Sequence, residues 1–259
     1  MCRDIIVDGV TFEDGSERVL RFSGCFNSIV MNSKFSEFLR EGFASAIAVA
    51  DGTKGLLVTQ CNGRDMRHLV ATGGDTLTNR DIIVERNTGS FFDAAADSHA
   101  ETIGYTVRFN IFRQILGNSE SDVLVTCQGA NFQVYGNELH GARSASISVE
   151  PRMNPDALID GANQVSVRDN WCYDSGGSGA VVRNNNAFAD DNGLIPNAPV
   201  IASTGENRLI RCGTRGIVFQ ANGGDILHAE SVGDKIIDCK GGASDAGVYA
   251  LTNLSLIHI

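Results

Sequence analysis

The chain is poor in proline (4 residues of 259), has one tryptophan, has no Cys-x-x-Cys pair, and has no apolar run long enough to span a bilayer. Each shortage removes a class of protein. A membrane-spanning helix needs roughly 18 or more consecutive apolar residues, so membrane insertion is not expected. The cysteines (Cys2, Cys25, Cys61, Cys127, Cys172, Cys212 and Cys239) are odd in number and never closely paired, which disfavours both a complete disulfide framework and a zinc site of ordinary spacing. Most are expected to be buried thiols that pack as small hydrophobes. Basic residues are also in deficit. The 21 Lys and Arg against 31 Asp and Glu leave a net charge of −10, which argues against nucleic acid, whose phosphates need a cationic surface. The same deficit disfavours a polyanionic ligand unless metal ions or a local basic patch intervene.

A sustained helical period is missing too. The stretch FSEFLREGFASAIAV (35–49) comes nearest, but it falls where the repeat of the chain requires a turn and a strand. What the chain does have is 42% hydrophobic residues, enough for a packed core, and 29 glycines to make turns. Short apolar segments recur: DIIVDGVTF (4–12), NSIVMNSKF (27–35), GLLVTQCNG (55–63), DIIVERNTG (81–89), GYTVRFNIF (104–112), NFQVYGNEL (131–139) and QVSVRDNWC (164–172), then NRLIRCG (207–213) and DKIIDCKGG (234–242). Val7, Val30, Val58, Val84, Val107, Val134, Val167, Ile210 and Ile237 are taken as one column. Four consecutive copies end in Val-x-x-Asn, at Asn87, Asn110, Asn137 and Asn170. Asparagine suits a left-handed turn position and can stack into a hydrogen-bonded ladder.

A second set of strands lies between these: 18–24, 45–52, 122–129, 145–151, 179–185, 216–222 and 247–253. Strands at this period, with Asn and Gly at the turns, predict an all-β chain folded as a right-handed parallel β-helix, a solenoid of about nine rungs. One domain is expected over 1–253. The last residues, LSLIHI (254–259), continue no rung and are expected to be a non-native tail, with the chain cut at both ends.

The segment DAAADSHAET (93–102) interrupts the aliphatic pattern with Asp97, His99 and Glu101 at alternate positions, which in a strand share one face. Counting from the valine column, one outward row is predicted to contain Thr76, His99, Thr126, Glu150, Arg183 and Gln220, with Asp75 one rung below Asp97. Six polar residues in one column suit the wall of an outer groove rather than the core. A carboxylate two residues from an imidazole can orient it and raise its pKa, which suits proton transfer. Arg80, Arg86 and Arg108, on nearby rungs, could hold a substrate carboxylate. The loop 151–163 and the insertion 184–207 lengthen their rungs and could overhang a substrate. Within the insertion, Asp190, Asp191 and Asn192 offer oxygen ligands for calcium, the one cofactor the sequence suggests.

On its rung periodicity the chain resembles the pectin-lyase-like superfamily of right-handed β-helices over 1–253. That superfamily holds polysaccharide lyases, uronan epimerases, glycoside hydrolases, phage tailspikes and adhesins. Locally, DSHAETIGYTVR (97–108) is similar to the Asp-Pro-His-(Asp/Glu)-x-Thr segment of alginate C5-epimerases, with Ser98 in place of the proline and Ala94 where that family has a tyrosine. The resemblance implies catalytic roles for Asp97 and His99, and leaves Tyr105 as a distant candidate for the proton donor. The expected partner is an extracellular polysaccharide, a uronan first, processed by C5 proton abstraction at His99. Glu101, Arg108, Asp75, Glu150 and Arg183 would bind substrate. Two alternatives stand beside this. One is a tailspike-like hydrolase using paired carboxylates, with the homotrimer typical of tailspikes. The other is a non-catalytic glycan-binding adhesin or tail solenoid. All three point to an extracellular or virion-surface location.

Overall fold

The computed structural model describes all residues except 1, 16, 39–43, 74–76, 115–122, 152–161, 186–187, 191–192, 196–198, 223–225, 241–247, 252–256 and 259. The described residues contain strands and turns and no helix. Successive rungs feed three parallel sheets, and the expected parallel β-helix is what forms. The valine sheet takes Ile6–Asp8, Cys25–Met31, Lys54–Thr59, Asn79–Glu85, Thr102–Arg108, the second half of Val123–Tyr135, Asn163–Arg168, Val200–Gly205 and Ile226–Val232. A sheet of nine short strands, from Thr11–Glu13 to Lys235–Ile237, comes after it in every rung. The third, here the site sheet, takes Arg18–Ser23, Ser45–Ala50, His68–Thr72, Ala96–Ser98, the first half of Val123–Tyr135, Ala145–Pro151, Ala180–Asn185, Ile217–Asn222 and Val248–Leu251. Ile257–His258, within the expected tail, pairs in parallel with Ala229–Glu230.

The register explains the valine column. Val7, Val30, Val58, Val84, Val107, Val134 and Val167 stand directly above one another. Val30 through Val167 are fully buried, each contributing about 1.5–3 kcal/mol of apolar burial. The next members are Thr204 and Ser231, not Ile210 and Ile237. Those isoleucines belong to the short sheet, where Ile210 lies over Tyr173 and under Ile237. The inserted residues before Val200 displaced the count by a whole strand, and Val200–Gly205, assigned to the insertion, is a rung strand. Among the described residues of the insertion, Phe188–Asp190 and Gly193–Ile195 leave the solenoid as an antiparallel hairpin.

The corners carry the rest of the pattern. Where the valine sheet turns into the short sheet, Gly9, Asn32, Gln60, Arg86, Phe109, Gly136, Asp169, Glu206 and Gly233 all have left-handed φ, between 50° and 73°. The ladder asparagines come directly after these residues and are not themselves left-handed, a correction to the role expected of them. Asn87, Asn110, Asn137 and Asn170 stack as predicted, and the ladder extends to Asn207 and Asp234. In each step the Oδ1 above accepts from both the backbone N–H and the Nδ2 of the residue below, at 2.7–3.1 Å. The same Nδ2 groups donate to the carbonyls of Val58, Val84, Val107, Val134 and Val167. Five of the seven cysteines are buried and all seven are free; Cys61 occupies the ladder column, where its N–H donates to Asn87 Oδ1.

Replacing Asn137 by Ala removes bonds to Asn110, Asn170 and the Val107 carbonyl and leaves their buried polar atoms unpaired. The expected loss is about 2–4 kcal/mol, read as a fall in the urea midpoint at unchanged slope. A loss below about 0.5 kcal/mol would contradict the ladder's role.

Candidate functional site

Asp97 lies at the centre of the short strand Ala96–Ser98, with Ala71 below it and Thr126 above it in the site sheet. Ala96 enters the core, so Asp97 faces outward, yet it is only 9% exposed. The chain then turns at His99–Glu101 and enters the valine sheet at Thr102. This turn is fastened from both sides. The His99 N–H donates to Thr72 Oγ1 at 3.1 Å, and Thr72 Oγ1 pairs with Thr102 Oγ1 at 2.5 Å. From above, the Gln128 N–H donates to Ser98 Oγ at 3.0 Å. Gly129, at φ 118°, lets the next rung settle on the turn: a Cβ there would lie 2.1 Å from the Thr102 carbonyl oxygen and 3.1 Å from that of His99.

His99 Nε2 lies 3.1 Å from Asp97 Oδ2 and donates to it. A second imidazole approaches the same oxygen: His68 Nε2 is 3.9 Å away, while its Nδ1 lies 2.9 Å from the Ala94 carbonyl and must carry the proton donated there. One buried carboxylate thus sits between a buried histidine and a histidine whose side chain is 54% exposed. The hydrogen bond to Asp97 raises the His99 pKa, outweighing its partial burial, and the charges of Asp97 and Glu101 add to the effect. Burial works the other way on His68 and lowers its pKa despite Asp97. For Asp97 burial is the largest influence and raises the pKa, but the His99 bond and the neighbouring positive charges together bring it below the ordinary carboxylate range. At neutral pH the arrangement is an ionised Asp97, a neutral His68, and a His99 held through Nε2 with its side chain half exposed.

Sequence reasoning missed His68, which comes one rung earlier at the start of a strand with no polar alternation to mark it. Arg67 was missed as well. Its charge acts on Asp97 and on both histidines.

The predicted row survives in part. Glu150, Arg183 and Gln220 do succeed one another: Arg183 lies beside Gln220 in register, and its Nη1 donates to Glu150 at 2.9 Å and its Nε to Gln220 at 3.1 Å. Gln128 precedes Glu150 in that row. Thr126 does not belong to it; it is level with Asp97, two residues away from the predicted place. The turn between Asp97 and Val107 is two residues longer than its equivalent between Thr126 and Val134, so counting back from the valines overshot. Asp75 and Thr76 lie outside the described residues.

Arg108 is not brought to His99. It stands at the far end of Thr102–Arg108, roughly 20 Å along the strand at about 3.3 Å per residue. There it donates from Nε to Glu85 at 2.6 Å and from Nη1 to the Tyr135 hydroxyl at 2.7 Å. Arg86 is bound to Glu85 in the same cluster. Tyr105 is fully buried on the core side with its hydroxyl unpaired and its pKa pushed well up by burial, which removes it as a proton donor. The loop 151–163 falls largely outside the described residues, and so do Asp191, Asn192 and the side chain of Asp190. Among the described residues no cluster of three or more His, Cys, Asp or Glu is placed to hold a metal ion.

No protein-family model matches the chain, and no curated protein matches it. Among solved structures, two mutant forms of the tailspike protein of E. coli bacteriophage HK620, each in complex with pentasaccharide, superpose with a TM-score of 0.50 at 14% identity. The match covers 96% of this chain and 56% of the tailspike chain, so the present chain spans little more than half of that protein. The likeness is one of fold, the parallel β-helix.

The two histidines should titrate on opposite sides of the ordinary imidazole value of about 6.5. Histidine-resolved NMR should place His99 above it and His68 below, and Asp97→Asn should bring His99 down. The linkage signs differ accordingly. The His99–Asp97 bond contributes stability that is fully present below about pH 6.5 and is lost as pH rises through the folded-state value. His68 destabilises the fold as pH falls below about 6.5, because only the unfolded chain then accepts the proton readily. Coincident titration of the two rings would contradict the shared-carboxylate arrangement.

Proposed function

We propose that the solenoid binds an extracellular polysaccharide and processes it by abstracting the C5 proton of a uronic acid, with His99 as the base and Asp97 as the residue that orients it. One observation carries this reading: a buried carboxylate oxygen lies 3.1 Å from Nε2 of a histidine whose side chain is half exposed. That geometry raises the basicity of the ring, fixes its tautomer and leaves Nδ1 open to a substrate. Proton abstraction also needs a cation to offset the charge that develops on the uronate carboxylate, and Arg67 is the residue assigned to it. Elimination and epimerisation share this first step. They diverge at the second, which is loss of the O4 leaving group in one and return of a proton to the opposite face in the other.

Hydrolysis by paired carboxylates is the weaker reading. It requires one carboxylic acid held protonated near neutral pH. Asp97 is shifted the opposite way, and Glu150 is occupied by Arg183 and Ser148. Glycan binding without chemistry is the second reading, favoured by the fold shared with tailspikes solved in complex with pentasaccharide. An extracellular or virion-surface location belongs to both readings. A homotrimer belongs to the tailspike-like one.

The test is incubation with a panel of uronans, with ultraviolet absorbance reporting C4–C5 unsaturated ends and sugar analysis reporting uronate composition. Wild-type protein should give one of these changes, and His99→Ala should lower the rate by roughly 100-fold or more. Asp97→Asn should reduce the rate and move its pH dependence. Turnover by His99→Ala at the wild-type rate would remove His99 from the mechanism.

A further inference from the structure

A groove of about 550 Å³ opens along the corner between the site sheet and the valine sheet, over the rungs preceding His99. Its floor is set by register. Phe26, Lys54 and Arg80, which line it, stand one above another on three consecutive stacked strands about 4.8 Å apart, with Arg3 below Phe26 in the same column. The Phe26 ring lies between two of the cations, with the Arg3 guanidinium 5.5 Å and the Lys54 ammonium 5.9 Å from its centroid. In a chain of net charge −10 this is a concentrated basic strip.

Among the described residues, the one acidic side chain lining the groove is already engaged. Asp51, which also lines the groove, accepts from Ser23 Oγ at 2.7 Å and from Arg21 at 3.1 Å. Asp81, next in sequence to Arg80, has a left-handed φ of 56° and places its carboxylate over Gly104 of the next rung. Among the described residues, neither Lys54 nor Arg80 meets a carboxylate within ion-pair distance.

The groove reaches the rung directly below the candidate site. Leu77 and Thr78 form its wall on the rung directly below the His99–Glu101 turn, and the Asn79 N–H donates to the Glu101 carbonyl at 2.8 Å. A ligand lying along this corner would therefore run from His99 across Arg80 and Lys54 towards Phe26. Lys54 and Arg80 are cations on adjacent rungs, without carboxylate partners among the described residues, in an open groove beside an aromatic ring. They match a chain that carries one carboxylate per sugar.

We propose that Lys54 and Arg80, with Phe26 holding Lys54 in place, bind the carboxylates of an anionic glycan on one side of His99. This strip is the local basic patch that lets an acidic protein take an acidic polymer. The proposal rests on the uronan reading for its substrate class and not on the chemical step.

The test measures binding in the His99→Ala background, where turnover does not interfere. Calorimetric titration uses hexamers of galacturonate, mannuronate and guluronate, with maltohexaose as the neutral control. At least one hexauronate should bind, maltohexaose should not, and affinity should fall with added salt. Lys54→Ala combined with Arg80→Ala should weaken binding by roughly tenfold or more, while Lys54→Arg should retain most of it. Thermal unfolding of each variant checks that the solenoid is intact. Unchanged affinity in the double variant, equal binding of maltohexaose, or no binding of any hexauronate would overturn the proposal. Binding through Lys54 and Arg80 without turnover by the wild type would sink the catalytic reading alone. Turnover with unchanged binding in the double variant would sink this one alone.

Discussion

The rungs depend on a side-chain amide that completes what each corner leaves open. At the bend between the valine and short sheets the backbone takes a left-handed residue, and the next N–H finds no strand to pair with. Asn87, Asn110, Asn137, Asn170 and Asn207 solve this in sequence, each giving its own amide to the next member and to a valine carbonyl; Asn110 onwards each take two donors from below, and Asn87 takes the one N–H that Cys61 offers. Asp234 closes the series as an acceptor only, its second oxygen taken by Thr204 at 2.8 Å and Ser231 at 2.6 Å. Buried polar groups left unpaired cost about 1–3 kcal/mol each, so a rung that slipped in register would lose several such pairings at once. The ladder fixes register, and register decides which outward side chains stand together.

The candidate site is a consequence of that register. Asp97, the His99 turn and the Glu150–Arg183–Gln220 row owe their places to strands locked in parallel, not to local conformation. Small residues below Asp97, Ala71 and Ala48, leave the carboxylate room to lie against the sheet, where burial strengthens its bond to His99. His68 reaches the same oxygen from the preceding rung. Two imidazoles on one carboxylate are thus a product of stacking, with opposite pKa shifts because His99 is hydrogen-bonded to Asp97 while burial outweighs the carboxylate at His68.

What could be read in the sequence reflects how far each signal is local. The valine column, the Val-x-x-Asn repeats and the second strand set are periodic and strongly apolar, so fold and approximate rung number could be read directly. Asp97 and His99 were legible as an ionisable pair two residues apart, although the expected strand row is broken: the strand ends at Ser98, and His99 and Glu101 lie in the turn that follows. The short sheet was not, since three-residue strands such as Thr11–Glu13 or Arg208–Ile210 show no alternation of their own. Ile210 and Ile237 were placed in the wrong column for that reason. Across rungs, errors arose wherever turn length varied: two extra residues before Thr102 misplaced Thr126, and the segment before Val200 hid a strand. Arg108 was linked to the site by rung number alone, and six residues of strand carry it to a different cluster. His68 and Arg67 needed three-dimensional contact to be seen.

Proton removal from carbon by His99 is the step on which the functional reading stands. The most direct measurement is NMR of the C5 proton of a uronan incubated with the protein in deuterium oxide. The signal should disappear, either because deuterium replaces the proton with inversion or because a C4–C5 double bond forms, and His99→Ala should preserve it. A glycan that is shortened while every C5 proton stays in place would contradict this reading and assign the chemistry to hydrolysis.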